Sequence, residues 1–273
     1  MSHASAARSD CSSISVRLPS SLTPSKVSSF KECAYAFRLS VIDHIPQPIN
    51  SHTLKGTLAH KCLDRLYFDF PPESRTIEVA RAIFDGVWND AKISGELDYL
   101  EQCEGTSIDF DELAKDTMFL IEQDFIAENP QKVKALGTEL QLEARVGDMM
   151  LRGIIDRLDL NPDGTITVTD YKTGRVPGVM QEHDRLAGVY FYALLCEQVL
   201  HVIPDTVQLV YLRDATRIIS KPSKQSLSAL LNKTGAIWKA VRTACERDDF
   251  RPKPSRLCSF CNFKILCPTQ SPA

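Results

Sequence analysis

Three side chains, Asp156, Asp170 and Lys172, have types that do not suit the apolar rows in which they fall. In an extended strand successive side chains point to opposite faces, so Ile166, Val168, Asp170 and Lys172 share one side of the segment Thr165–Lys172. Thr165, Thr167, Thr169 and Tyr171 share the other. A core-facing apolar row therefore ends in an acid and a lysine. The preceding segment repeats the anomaly, with Ile154, Asp156, Leu158 and Leu160 on one face. A carboxylate inside such a row is costly unless it is paired or binds a cation. Two acids and a lysine gathered across a hairpin suit Mg²⁺ or Mn²⁺, with coordination positions left for water and a phosphate oxygen. Such a metal lowers the pKa of its water, and a lysine can steady charge building on the phosphate. A lone D-x-K reads as an ion pair at a strand end. The doubled pattern, Gly153-x-x-Asp156-Arg157 before Asp170-Tyr171-Lys172-Thr173-Gly174, favours the metal site.

The second constellation is sulfur. Of nine cysteines, Cys11, Cys62, Cys103, Cys196 and Cys245 show no framework spacing, whereas Cys258-x₂-Cys261-x₅-Cys267-Pro268 does. Two residues between the first pair let both thiolates reach one centre. Three local cysteines need a fourth, and Cys33, beside the apolar stripe of the first expected helix, is the candidate. Spacing leaves open a four-cysteine Zn²⁺ site or a cubane iron–sulfur cluster.

Gly153-Ile154-Ile155-Asp156-Arg157 and Asp170-Tyr171-Lys172-Thr173-Gly174 resemble the RecB-like branch of the PD-(D/E)XK nucleases, whose members read G-x-(I/V)-D-R and then D-Y-K-T-G. The resemblance implies that Asp156 and Asp170 bind the metal, joined by the Tyr171 backbone carbonyl, and that Lys172 is catalytic. It also implies a histidine ligand in a G-x-x-x-H context, which Gly56-Thr57-Leu58-Ala59-His60 supplies. Glu139 matches a frequent family acid, and reads as readily as a surface glutamate. Aligning Tyr192-Ala193-Leu194 with the family's Y-A-L puts Gly188 where a glutamine usually stands, so only Tyr192 of that DNA-contacting pair is present. One distant cysteine and a terminal C-x₂-C-x₅-C are similar to the AddB-type cluster signature. This implies a [4Fe–4S] cluster on Cys33, Cys258, Cys261 and Cys267 that staples the two ends of the domain. The resemblance spans residues 23 to 268. It implies a DNA nuclease, exonuclease-like on single strands or ends, serving repair or recombination. The alternative is a cluster-bearing DNA-binding scaffold with an idle site.

The elements that must position these residues follow from periodicity and punctuation. Thr23-Pro24 opens a helix whose apolar stripe is Val27, Phe30, Ala34, Phe37 and Val41. Further helices are expected over Lys55–Asp69, after a Ser74 cap, and after Asp109 or Asp111 up to Pro130. The period then changes to strands at Thr138–Val146, Met150–Leu160 and Thr165–Lys172, with a turn at Asn161-Pro162-Asp163-Gly164. A helix over Met180–Val202, a strand over Thr206–Arg213 and a helix over Ser223–Arg247 complete the order. The expected fold is α/β: a PD-(D/E)XK nuclease core, a mixed β-sheet flanked by helices, with an N-terminal helical region and a C-terminal iron–sulfur clamp. Residues 1–22 are expected to be a disordered Ser-rich tail and 23–270 one domain. Within it, 23–135 is mainly helical, 136–215 is the catalytic core, and 216–270 holds the basic helix and cysteine segment.

Bulk properties narrow the partners. The net charge of −3 hides an asymmetry: Arg217–Ala273 holds eleven Lys/Arg against three Asp/Glu, and Lys61–Pro130 holds six against seventeen. The basic end suits phosphates, with Arg251, Lys253 and Arg256 as candidate DNA contacts. Neither G-x-G-x-x-G nor a Walker A pattern occurs, so any unwinding falls to a separate helicase. The longest apolar run, Leu186–Cys196, is too short to span a bilayer, and no membrane partner is expected. Clustered cysteines without a secretory-type leader suggest a reducing cytoplasm, with nucleoid association if the chain is bacterial.

Overall fold

The computed structural model describes residues 16–105, 107–176 and 178–269, excepting the side chains of residues 179–184. Thr23 accepts from the Lys26 N–H and Pro24 needs no N–H partner, so α1 (Pro24–Glu32) begins at the expected cap. The expected continuous helix stops at Cys33, whose φ/ψ of −159°/111° is extended. α2 (Ala34–Phe37) and a π-turn over Arg38–Ile42 follow. The apolar stripe survives the break, with the Phe30 and Phe37 rings edge to face at 5.2 Å.

α3 (Ser51–Asp69) starts at the Asn50 cap, a turn before the expected Lys55. α4 (Ile77–Ile93) is capped by Thr76 rather than Ser74. α5 (Glu96–Glu104) is an additional short helix entered through Gly95 at φ 78°, and Asp109 caps α6 (Phe110–Ala127). α3, α4 and α6 enclose one apolar cluster that includes Leu58, Leu66, Phe84 and Ile121.

The sheet order is β1 (Ala135–Val146), β2 (Met149–Leu160), β3 (Ile166–Lys172), β4 (Thr206–Tyr211) and β5 (Thr216–Ser220). The first three strands form an antiparallel meander. β3 and β4 run parallel, joined through α7 (Val179–Leu200), and β5 is an antiparallel edge strand that the periodicity did not predict. Ser223 caps α8 (Lys224–Arg247). The α/β class with a five-stranded mixed sheet flanked by helices is thus as expected.

The expected tail ends too late. Residues 1–15 lie outside the described residues, but Ser21 and Leu22 are buried. β2 pairs with β3 only over Arg157–Leu160, which leaves the edge of its first half open. Leu22 fills that edge: its N–H donates to Met150 O at 2.8 Å, and Arg152 N–H donates to its carbonyl at 2.9 Å.

β3 is buried on both faces, so its Thr/Tyr side is not a solvent face. One face packs on the core shared with α7 and α8, through Ile166 and Val168. The other, bearing Thr167, Thr169 and Tyr171, lies under the helical region. It tolerates polar atoms because they satisfy one another: Thr169 donates to Asp159 at 3.2 Å and accepts from Gln208 at 2.8 Å.

Candidate metal centre and cysteine pocket

Asp156, on β2, accepts the Tyr171 N–H at its Oδ2 at 2.7 Å. α3 brings His60 to the same carboxylate, with Nδ1 3.6 Å from Oδ2. Gly56 lets α3 come this close, since a Cβ there would stand 3.2 Å from Thr173 Oγ1 in the D-Y-K-T-G segment. β1 adds Glu139. The pairs Thr138↔Arg157 and Leu140↔Ile155 flank it, so Glu139 stands across from Asp156, on a backbone with φ 44°. A non-glycine residue at positive φ costs energy, and such strain clusters at functional sites. One ligand atom from each of His60, Glu139 and Asp156 lies within 4.8 Å of the others.

Asp170 stands outside that trio, almost fully buried beside it, and forms an ion pair with the Lys172 ammonium. Tyr192 reaches the site from α7. A Cβ on Gly153 would meet Leu195 Cδ1 at 2.8 Å and Tyr192 Cε1 at 2.9 Å, so the glycine of G-x-x-D-R lets α7 lie on β2. A Cβ at Gly188 would meet nothing within 4 Å. The space for a side chain is present there, and the side chain is not.

The acids repel one another. Burial, and then the charge of Asp170, push the Asp156 carboxyl up to about 7, against the Tyr171 N–H, Lys172 and Arg157. Burial and Asp156 likewise raise Glu139. Burial lowers His60, helped by Lys172 and opposed by Asp170, which favours the neutral imidazole that binds metals. Burial alone would lower Lys172, but the Asp170 charge and contact outweigh it and the net shift is upward, so the lysine stays an ammonium. The donor set of one imidazole and converging carboxylates, short of positive charge, fits a divalent cation. The site opens into a cleft of about 600 Å³ lined by Thr53, Thr57, His60, Asp64, Glu139 and Thr173.

Cysteines far apart in the sequence come together in the fold. Cys33, Cys258, Cys261 and Cys267 line one pocket of about 290 Å³. Among the described residues, no three of their sulfurs lie within 4.8 Å of one another, and none is in a disulfide. The break at Cys33 turns its sulfur to the Lys253 N–H at 3.5 Å, and Cys258 accepts from the Ser255 N–H at 3.3 Å. Tyr35 donates to the Leu266 carbonyl at 3.0 Å and ties the cysteine segment to α2.

Of the basic residues singled out in the sequence, two already have partners. Arg251 is paired with Asp249 at 2.9 Å, and the Lys253 ammonium donates to the Lys31 carbonyl at 3.0 Å. Arg256 is exposed. No helix among the described residues is long and apolar enough to cross a membrane.

The mixed sheet and α3 thus bring a histidine, carboxylates and a lysine together at one end of the fold. The model of the PD-(D/E)XK nuclease superfamily matches residues 21–268, and the chain belongs to that superfamily, whose members are divalent-metal phosphodiester hydrolases. The crystal structure of a candidate exonuclease from Eubacterium rectale superposes with a TM-score of 0.56 at 10% identity, covering 94% of this chain and 93% of that one. It supports the fold. A second solved structure, SSO0001, aligns over 90% of this chain and 94% of its own at 16% identity, with a TM-score of only 0.35. No curated protein sequence matches the chain.

Proposed function

We propose that this chain is a Mg²⁺- or Mn²⁺-dependent deoxyribonuclease of the RecB-like branch, acting on single strands or ends in DNA repair or recombination, with a structural [4Fe–4S] cluster. The observation that carries the reading is the convergence of His60, Glu139 and Asp156 within 4.8 Å beside the Asp170–Lys172 pair. These three side chains, with Asp170 and the Tyr171 carbonyl adjoining, would hold the metal. When bound, it polarises the phosphodiester and lowers the pKa of a coordinated water. Lys172 donates to the attacking water or to a phosphate oxygen as charge builds. Tyr192 and the exposed Arg251, Lys253 and Arg256 contact the strand, and a separate helicase supplies unwinding.

Cys33, Cys258, Cys261 and Cys267 line one pocket, so a single centre can take all four thiolates. The spacing suits zinc as well as a cluster, and the Asp170-Tyr171-Lys172 motif in the same chain is what favours the cluster.

Cleavage of end-labelled single-stranded DNA with Mn²⁺, beside an Asp170→Ala control, tests the nuclease. Cleavage lost in the control is the expected result, and binding without cleavage by the wild type would leave a DNA-binding scaffold. Anaerobic purification with metal analysis tests the cluster: brown protein that bleaches in Cys33→Ser supports it, and colourless protein with one zinc per chain overturns it.

A further inference from the structure

We propose that Arg157 is a positioning residue, the hub of a buried network that fixes Tyr171 and, through the Tyr171 main chain, the carboxylates of the metal site. This role presupposes the metal site proposed above. Arg157 is 1% exposed and is the largest of the fully buried side chains. Its Nε and Nη2 grip Asp159 at 2.8 and 3.1 Å. Its Nη1 donates to Glu128 at 2.6 Å and also meets the Tyr171 hydroxyl. The guanidinium lies 4.1 Å over the Tyr67 ring, and Tyr67 donates to Asp124 at 2.7 Å.

These partners sit on the elements that build the site. Tyr67 lies on α3, seven residues beyond His60. Glu128 ends α6, Asp159 shares β2 with Asp156, and Tyr171 stands between Asp170 and Lys172 on β3. The Tyr171 ring is held between Arg157 and His60, whose ring it meets edge-on at 6.1 Å. The Tyr171 N–H is the donor that orients Asp156.

A hub for stability alone does not need this chemistry. Burying a guanidinium and three carboxyl groups costs desolvation that apolar side chains of equal volume avoid. The planar fork gives direction instead: one edge grips Asp159 on β2, Nη1 meets Glu128 and Tyr171, and a face lies on Tyr67 of α3. Fixing the outer partners of ligating groups is how a protein tunes metal affinity, and loss of such partners typically costs about 10–100-fold.

The test is Mn²⁺ titration calorimetry on Tyr171→Phe, Arg157→Lys and Thr117→Val, with thermal melts of each metal-free variant. Tyr171→Phe removes only the hydroxyl that Arg157 holds, and should weaken Mn²⁺ binding about tenfold while remaining folded. Arg157→Lys keeps the charge but loses the fork, and should weaken it at least as much. Thr117→Val removes a fully buried hydroxyl on α6 that donates to the Leu113 carbonyl at 2.7 Å, and should leave Mn²⁺ affinity unchanged even where its melting temperature falls. Should Arg157→Lys not fold, Tyr171→Phe and Thr117→Val still decide. Wild-type Mn²⁺ affinity in folded Tyr171→Phe overturns the positioning role and leaves the metal site standing, as does an equal loss in Thr117→Val. Wild-type protein that binds no Mn²⁺ overturns both.

Discussion

Glu139 faces Asp156 across the β1–β2 pair, and it does so from a left-handed backbone conformation with φ 44°. The register of β1 shifts by one residue between Ala135 and Gly137, just ahead of it. Such irregularities re-aim a side chain. The strained residue is also the one that places a β1 carboxylate within 4.8 Å of the ligand atoms of His60 and Asp156.

Replacing Glu139 should separate stability from function. Glu139→Gly relieves a strain of about 1–3 kcal/mol but adds freedom to the unfolded chain at about 0.5–1 kcal/mol, so the metal-free protein should be at least as stable. Mn²⁺ affinity should nevertheless fall. Thermal melting and metal titration of the same sample measure both, and a variant that loses stability while keeping its metal affinity would assign Glu139 to the fold.

The Asp170–Lys172 end of the site was legible in residue types, because an acid and a lysine are too costly to place in an apolar row without a charge to balance or a cation to hold. The row of Asp156 is not the core row its residue types suggested, since Ile154 beside it is 42% exposed. Strands β1 to β4 and the long helices were legible in periodicity. Glu139 matches a frequent family acid and reads as readily as a surface glutamate, since its place across from Asp156 goes with a register shift and a positive φ that alternation does not encode. That the polar row Thr167, Thr169 and Tyr171 is also buried was not legible, because burial by a second helical layer is a tertiary fact. The break at Cys33 was hidden for a related reason: the stripe on either side of it keeps helical spacing. Arg251 and Lys253 are exposed, and their contacts with Asp249 and the Lys31 carbonyl are surface contacts that periodicity and charge counting do not encode.

Two glycines next to the site should respond in opposite ways to alanine. At Gly153 the new Cβ would press on Leu195 at 2.8 Å and Tyr192 at 2.9 Å, inside a packed β2–α7 contact. Overpacking of this kind costs about 1–3 kcal/mol, and shifting Tyr192 should also slow cleavage. At Gly188, in the middle of α7 with open space, alanine should stabilise by about 0.5–1 kcal/mol. Denaturant unfolding of both variants checks the pair, and equal effects would mean that α7 does not approach β2 this closely.

Asp124 should make the protein less stable as pH rises. Burial first, and then the Glu128 charge, push its carboxyl up to about 8. In the unfolded chain it titrates near the ordinary value of 3.8. Between those values the unfolded state has lost a proton that the folded state keeps, so this group's contribution to stability falls with rising pH, by up to about 1.4 kcal/mol per unit. Below about pH 4, where both states hold the proton, the penalty vanishes. Asp124→Asn keeps an acceptor for Tyr67 and cannot ionise. Its melting temperature should therefore fall less than the wild type's on going from about pH 5 to about pH 8, and parallel curves would show that Asp124 ionises normally in the fold.

Asp170 and Lys172 should divide the labour of the reaction between them. Their ion pair is buried on the acid's side and half open on the lysine's, which suits a fixed carboxylate and a donor facing the cleft. Asp170→Ala should lose metal binding and cleavage together, and it leaves the Lys172 ammonium without its partner. Lys172→Ala should keep DNA affinity and bind Mn²⁺ in an altered but measurable way, yet cleave more slowly by roughly 10²–10³, the cost of one electrostatic group acting in the transition state. Lys172→Arg should recover little, because a planar fork does not fit where a compact ammonium meets Asp170. Single-turnover cleavage and Mn²⁺ titration on all three variants measure this. Wild-type cleavage by Lys172→Ala, with Asp170→Ala inactive, would reduce the lysine to a counter-ion at the strand end and remove it from the chemistry.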